Sequence, residues 1–282
     1  MLKRFQIITF LLAVFTLSAC GGGGSSPAPT PTPTPAPAPT STPSPTAASI
    51  TNSNVDAITS SLVNSITMAF GTVIGRNLSI TANIGNDFET IDNGCFKGVA
   101  IVNYVLDTLS ATGNILYSAY DNCFAVQLNG NADITGDFAS TNRIESITIQ
   151  LNNVQVFRLS DGLSFTIDGQ VELTWKPSVA GSAEYQLVLN TTITNIQDSS
   201  TYKFENFTVD SRLAAGVNLA TISGRFIHSD YGYIDVSTSS EITFQHFNTG
   251  PSKGTFTLTG SGENADVSYI SFIPTITITP NP

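Results

Sequence analysis

His228, Asp230, Asp235 and His246 bring two imidazoles and two carboxylates into one short stretch, the residue types that ligate metals and move protons. On a strand, residues 228 and 230 share a face because side chains alternate with a period of two. A metal site needs three or four ligands, each held by outer hydrogen-bond partners. Two histidines on separate strands fall short of that set, so the sequence implies no metal and no cofactor.

Paired carboxylates are the next candidates. Asp133 with Asp137, and Asp168 with Glu172, have the even spacing that puts both acids on one strand face. Glycoside hydrolysis would use such a pair in a cleft with the carboxyls about 5 to 9.5 Å apart. Neither pair belongs to a motif, and scattered carboxylates also solubilise a surface. Ser160-Asp161-Gly162 lacks the Gly-x-Ser-x-Gly elbow of a serine nucleophile, and no glycine-rich phosphate loop precedes a helix. No catalytic residue is assigned. Trp175, Tyr185, Tyr202, Phe204 and Phe207 would form a stacking platform if solvent-facing, and a core if inward-facing. Tyr231 and Tyr233, flanking Gly232 in an expected turn, are the aromatics predicted to be exposed.

The elements that must position these residues are mostly strands. One helix is predicted over 53–70, where Val55, Ile58, Leu62, Ile66 and Ala69 recur at three- and four-residue steps. Ser53 or Asn54 can cap its start and Gly71 can end it. Its polar face carries no Lys or Arg, which argues against a membrane-surface helix. Beyond Arg76, apolar and polar residues alternate in segments such as LSITANI, RIESITIQLNNVQVFRLS, STYKFENFTVDSRL and DVSYISFI. The breaks fall at Asn-Gly, Asp-Gly, Ser-Gly and Asp-Ser-Ser, which is turn chemistry, and such dipeptides recur at Gly130, Gly169 and Gly224. Short connections require antiparallel neighbours. The fold class is therefore all-β: a long-stranded antiparallel meander of ten to fourteen strands, forming a curved sheet, sandwich or open barrel, with one N-terminal amphipathic helix. A weak likeness between residues 151–173 and 193–213 reads as repeated hairpin units.

The first residues tell a different story. Lys3 and Arg4 precede an apolar run, FQIITFLLAVFTLSA, of secretory-signal length and too short for a membrane span. Leu17, Ser18, Ala19 and Cys20 then resemble the lipobox of bacterial lipoproteins. The resemblance implies that residues 1–19 are removed and that Cys20 is lipidated as the first mature residue. Several acyl chains anchor far more durably than one, since each buried methylene adds about 0.8 kcal/mol. Gly21 replaces the aspartate that retains such proteins in the inner membrane of Gram-negative bacteria, so the implied address is the outer membrane, on a face left open. The segments NGCFKG…YDNCFAVQLNG and SGRFIHSDYGYIDVST…GPSKGTFTLTGSGENADV are similar to β-rich proteobacterial lipoproteins of undefined function, a resemblance that transfers no catalytic residue.

Residues 20–48 hold the glycines and the proline-threonine-alanine alternation, which cannot bury enough apolar surface to offset its ordering entropy. This reads as a polyproline-II tether of about 3.1 Å per residue. Residues 49–282 form the single β domain. After export Cys95 and Cys123 are an even pair in an oxidising compartment, and a disulfide is the simplest outcome; free thiols or metal ligands are the alternative. Against 21 acids, the nine cations outside the signal leave a net charge of −12, which disfavours nucleic acid as a partner. The expected function is that of a lipid-anchored envelope protein, membrane-bound through its anchor, that supports structure or binds a protein or glycan. The competing expectations are a glycan hydrolase and a curved sheet shielding an acyl chain in transport.

Overall fold

The computed structural model describes residues 44–73, 87–93, 98–107, 110–121, 126–140, 143–159, 161–176, 184–214, 217–244 and 250–280. Residues 44–282 form one compact unit. Helix α1 (Val55–Val73) is followed by thirteen strands: β1 (Asp87–Asn93), β2 (Val99–Asp107), β3 (Ser110–Asp121), β4 (Val126–Ser140), β5 (Arg143–Arg158), β6 (Ser164–Lys176), β7 (Glu184–Asn195), β8 (Thr201–Ala214), β9 (Val217–His228), β10 (Gly232–Phe244), β11 (Pro251–Thr259), β12 (Glu263–Ile270) and β13 (Ile273–Pro280). Each pairs antiparallel with its sequence neighbours in one sheet ordered β1 to β13, so the predicted meander is present and the sheet is open.

Alternation explains why these segments are strands. In β6, Phe165, Ile167, Val171 and Leu173 are buried while Asp168, Gln170 and Glu172 are exposed. Inner-facing side chains are buried from Ile115 on β3 to Val267 on β12. Nine strand spacings span about 43 Å, whereas a helix is about 10–12 Å across. One helix cannot cover a flat sheet of that width, yet α1 touches both β4 and β8 and the inner residues form one core, so the open sheet curves around the helix. Phe204, Phe207, Phe226 and Phe256 fill the centre. α1 lays Val55, Ile58, Leu62, Ile66 and Ala69 on this face and contacts β4, β8 and β9.

Several sequence expectations are corrected. α1 runs through Gly71 to Val73. The Asn54 side chain does not reach forward to cap it but turns back, accepting from the Thr51 N–H (2.8 Å) and donating to the Ser49 carbonyl (2.9 Å). β1 is a strand without alternation, its Phe88 and Ile91 being three residues apart, and LSITANI lies outside the described residues. DVSYISFI is not one strand: its last residues make the β12–β13 turn at Ser271-Phe272.

Asn129-Gly130, Asp168-Gly169 and Ser223-Gly224 are likewise not turns. They lie inside β4, β6 and β9, with glycine φ of 124°, 116° and 131°. Each faces an irregularity on a neighbouring strand. Left-handed Ala119, Asn153 and Asn206 (φ 48°, 52° and 48°) donate their N–H groups to Asn129 (2.7 Å), Asp168 (3.4 Å) and Asn190 (2.8 Å). These bulges kink and twist their strands, which is how an antiparallel sheet bends without breaking. The two similar hairpins, β5–β6 and β7–β8, each carry a positive-φ residue on the second strand, Gly169 and Asn206.

Candidate functional site

The acidic pairs do not converge. Asp133 and Asp137 stand exposed on β4, four residues and so about 14 Å apart along the strand, beyond the reach of paired-carboxylate hydrolysis. Asp133 accepts from Asn152 Nδ2 (3.0 Å). Asp168 and Glu172 have the same separation on β6, and Asp168 is occupied by the Asn153 N–H (3.4 Å). Asp161 closes the β5–β6 turn, taking Arg158 Nε (2.9 Å) and the Leu163 N–H (3.2 Å). Its carboxyl is held below the usual range, chiefly by the Arg158 hydrogen bond.

His228 is buried at the end of β9, edge-on to Tyr202 (5.1 Å between ring centres) and beside Tyr231 (4.5 Å). Its Nδ1 accepts the Asp230 N–H at 3.1 Å, so the neutral ring carries its proton on Nε2. Burial depresses its pKa, with Asp230 opposing. Asp235 is bound instead by Arg225 (2.9 and 3.2 Å). His246 lies outside the described residues, among which no cluster of three His, Cys, Asp or Glu residues could hold a metal.

The aromatics divide between core and rim. Phe204 and Phe207 are buried, while Trp175, Tyr185 and Tyr202 are half-buried against the core. Burial pushes the Tyr185 phenol up to about 12. Tyr231 and Tyr233, expected to be exposed, are half-buried: Tyr231 packs on the core and Tyr233 carries the Arg225 guanidinium at 3.9 Å. Gly232 sits under the chain entering the domain, where Tyr233 and Thr46 hydrogen bond (2.9 Å) and Ala48 bonds back to Tyr233 (2.8 Å).

Two spaces remain. Between α1 and β9–β11, Val63, Ile66, Ile222 and Phe256 enclose about 10 Å³, no more than one water. The other is an open groove of about 690 Å³ at the β10–β13 rim, lined by Ser240, Ser252, Lys253, Thr255, Ser268 and Phe272 among others. Thr255 and Ser268 hydroxyls are 3.0 Å apart across β11 and β12.

Charge and shape make this groove the candidate site. Arg158, Lys176, Lys203, Arg212 and Arg225 each pair with a carboxylate. Among the described cationic side chains, Lys253 alone makes no such pair. Opposite it across the ladder is Ile270, which with Ile273 and Phe272 forms an apolar tip exposed by 70, 68 and 41%. Ser271 and Phe272 have φ of 52° and 69°, the two left-handed positions of a type I′ turn normally filled by Asn-Gly. Each costs about 1–2 kcal/mol in a residue with a Cβ. Alternation does not mark this tip because the sequence has no Gly, Asn, Asp or Pro at the turn itself. The phase jump between inward Tyr269 and inward Ile276 was the available signal.

No family model matches the chain, and no curated protein or solved structure does either. Cys20, Cys95 and Cys123 lie outside the described residues.

Proposed function

We propose that this chain is a lipid-anchored envelope protein whose β domain binds an acidic glycan without performing chemistry. The carrying observation is the groove: an ammonium without a carboxylate partner, flanked by hydroxyls and an exposed ring. Lys253 supplies the charge for a sugar carboxylate, the Ser and Thr hydroxyls exchange hydrogen bonds with ring hydroxyls, and Phe272 offers a face for stacking. The separated carboxylates speak against the hydrolase reading. The filled inner face, with Phe204, Phe207 and Phe226 fully buried, speaks against shielding of an acyl chain.

The anchor rests on the lipobox resemblance at Cys20 and has its own test. Mass analysis of the native protein should give an N-terminal Cys20 bearing acyl chains, and an unmodified thiol there would remove the membrane address. The groove is tested by titrating uronic-acid oligosaccharides into the purified protein by calorimetry. Binding should weaken at least tenfold in Lys253→Ala and fall with salt, because the contact is ionic. Equal affinity in the variant would defeat the assignment.

A further inference from the structure

β13 reads Pro274-Thr275-Ile276-Thr277-Ile278-Thr279-Pro280, the same in both directions about Thr277. Among the described residues it pairs with β12 alone, leaving its other edge open. Edge strands are commonly guarded by lysine or another charge, and β13 has no charged residue.

The hairpin settles which groups face the open edge. Ile270 and Ile273 flank the two-residue turn, so the Ile270 carbonyl accepts the Ile273 N–H and this is a hydrogen-bonded pair. Antiparallel pairs alternate, so Thr275, Thr277 and Thr279 direct their backbone toward β12 while Pro274, Ile276, Ile278 and Pro280 direct theirs outward. Proline is tolerated there because it has no N–H to leave unpaired. Between the prolines, the N–H groups of Ile276 and Ile278 point to solvent. Their side chains, on the inner face, are half-buried at the sheet's margin. A strand shielded against all pairing would place proline or lysine at 276 or 278. This one leaves both donors available and limits pairing to the stretch between the prolines.

We propose that two copies of the chain pair through β13, antiparallel about a two-fold axis at Thr277. The palindrome then sets like against like: Ile276 faces the partner's Ile278, Thr275 the partner's Thr279, and Thr277 its own copy. Ile276 and Ile278 exchange both N–H···O=C bonds with the partner's Ile278 and Ile276, which uses every outward donor of β13. The four isoleucines close over one another on the inner face, and the threonines form a continuous hydroxyl row outside. Such an interface is isologous, as two-fold symmetry requires. It is smaller than the roughly 1,600 Å² of a standard stable interface, so it is weak in dilute solution. It stands independently of the glycan reading.

Cysteine cross-linking of the full chain tests the register. At the axis, Thr277 and its copy form a non-hydrogen-bonded pair with Cα atoms about 4.5 Å apart, within disulfide reach. Thr275 and its copy would be about 14 Å apart. Under mild oxidation, Thr277→Cys should yield a covalent dimer well above the wild-type background from the native cysteines. Thr275→Cys alone should not, but mixed with Thr279→Cys it should. Adding Ile276→Pro, which deletes one outward donor and leaves the β12 ladder intact, should cut the Thr277→Cys dimer several-fold. Circular dichroism confirms that each variant is folded. A Thr277→Cys chain that links no more than wild type, or a Thr275→Cys chain that links as readily, would overturn the proposal.

Discussion

Replacing Gly169 by alanine tests whether the mid-strand kinks are structural requirements. A Cβ at Gly169 would sit 2.3 Å from the Asn190 carbonyl oxygen and 2.8 Å from Thr191 Cα, both backbone atoms that cannot swing aside. The φ of 116° is well outside the left-handed well that L residues tolerate. Holding such a conformation costs about 1–3 kcal/mol. Overpacking against a fixed neighbour adds about 1–3 kcal/mol. Together these put the loss at about 2–6 kcal/mol, a large share of the 5–15 kcal/mol typical of a domain. Gly162, in the β5–β6 turn, is the control: its φ is 74° and nothing lies within 4 Å of an added Cβ. Left-handed strain of about 1–2 kcal/mol is there partly offset by a stiffer unfolded chain, worth about 0.4–1 kcal/mol. Urea unfolding followed by circular dichroism gives both numbers. If Gly169→Ala and Gly162→Ala differ by less than about 1 kcal/mol, the idea that the close approach of β7 demands glycine at this kink is wrong.

Phe272→Gly should raise stability by about 1 kcal/mol by relieving the left-handed turn, while weakening oligosaccharide binding; a variant that loses stability would contradict the strain at that turn. His228 is held neutral by burial, so its folded pKa lies below the unfolded value near 6.5. As pH falls through 6.5 the unfolded chain takes up a proton that the folded chain refuses, so stability drops from pH 7 toward pH 5. In His228→Gln this part of the slope should vanish, which thermal melts across that window would reveal. Non-reducing peptide mapping should find Cys95 joined to Cys123, and reduction should lower stability by about 3–4 kcal/mol for a loop of about 28 residues. Free thiols at both positions would refute the bridge.

Much of this protein was legible in its residue order. Alternation over β5, β6 and β8, and the three- and four-residue steps of α1, depend on local geometry alone, and each appears as an element with the expected face buried. The all-antiparallel meander followed from short connections. What sequence could not supply was the partner of each residue across the ladder. Asn-Gly and Asp-Gly are favoured at turns because glycine accepts positive φ, but the same freedom serves a kink inside a long strand. Only the register shift at Asn153 with the close approach of Asn190 and Thr191, and the bulge at Asn206, show that Gly169 and Gly224 do the second job. Likewise, nothing local marks Lys253 as the cation without a carboxylate, or Ser271-Phe272 as a left-handed turn. Pairing partners and register are long-range facts, fixed when the strands meet, and the groove and the open edge of β13 exist only through them.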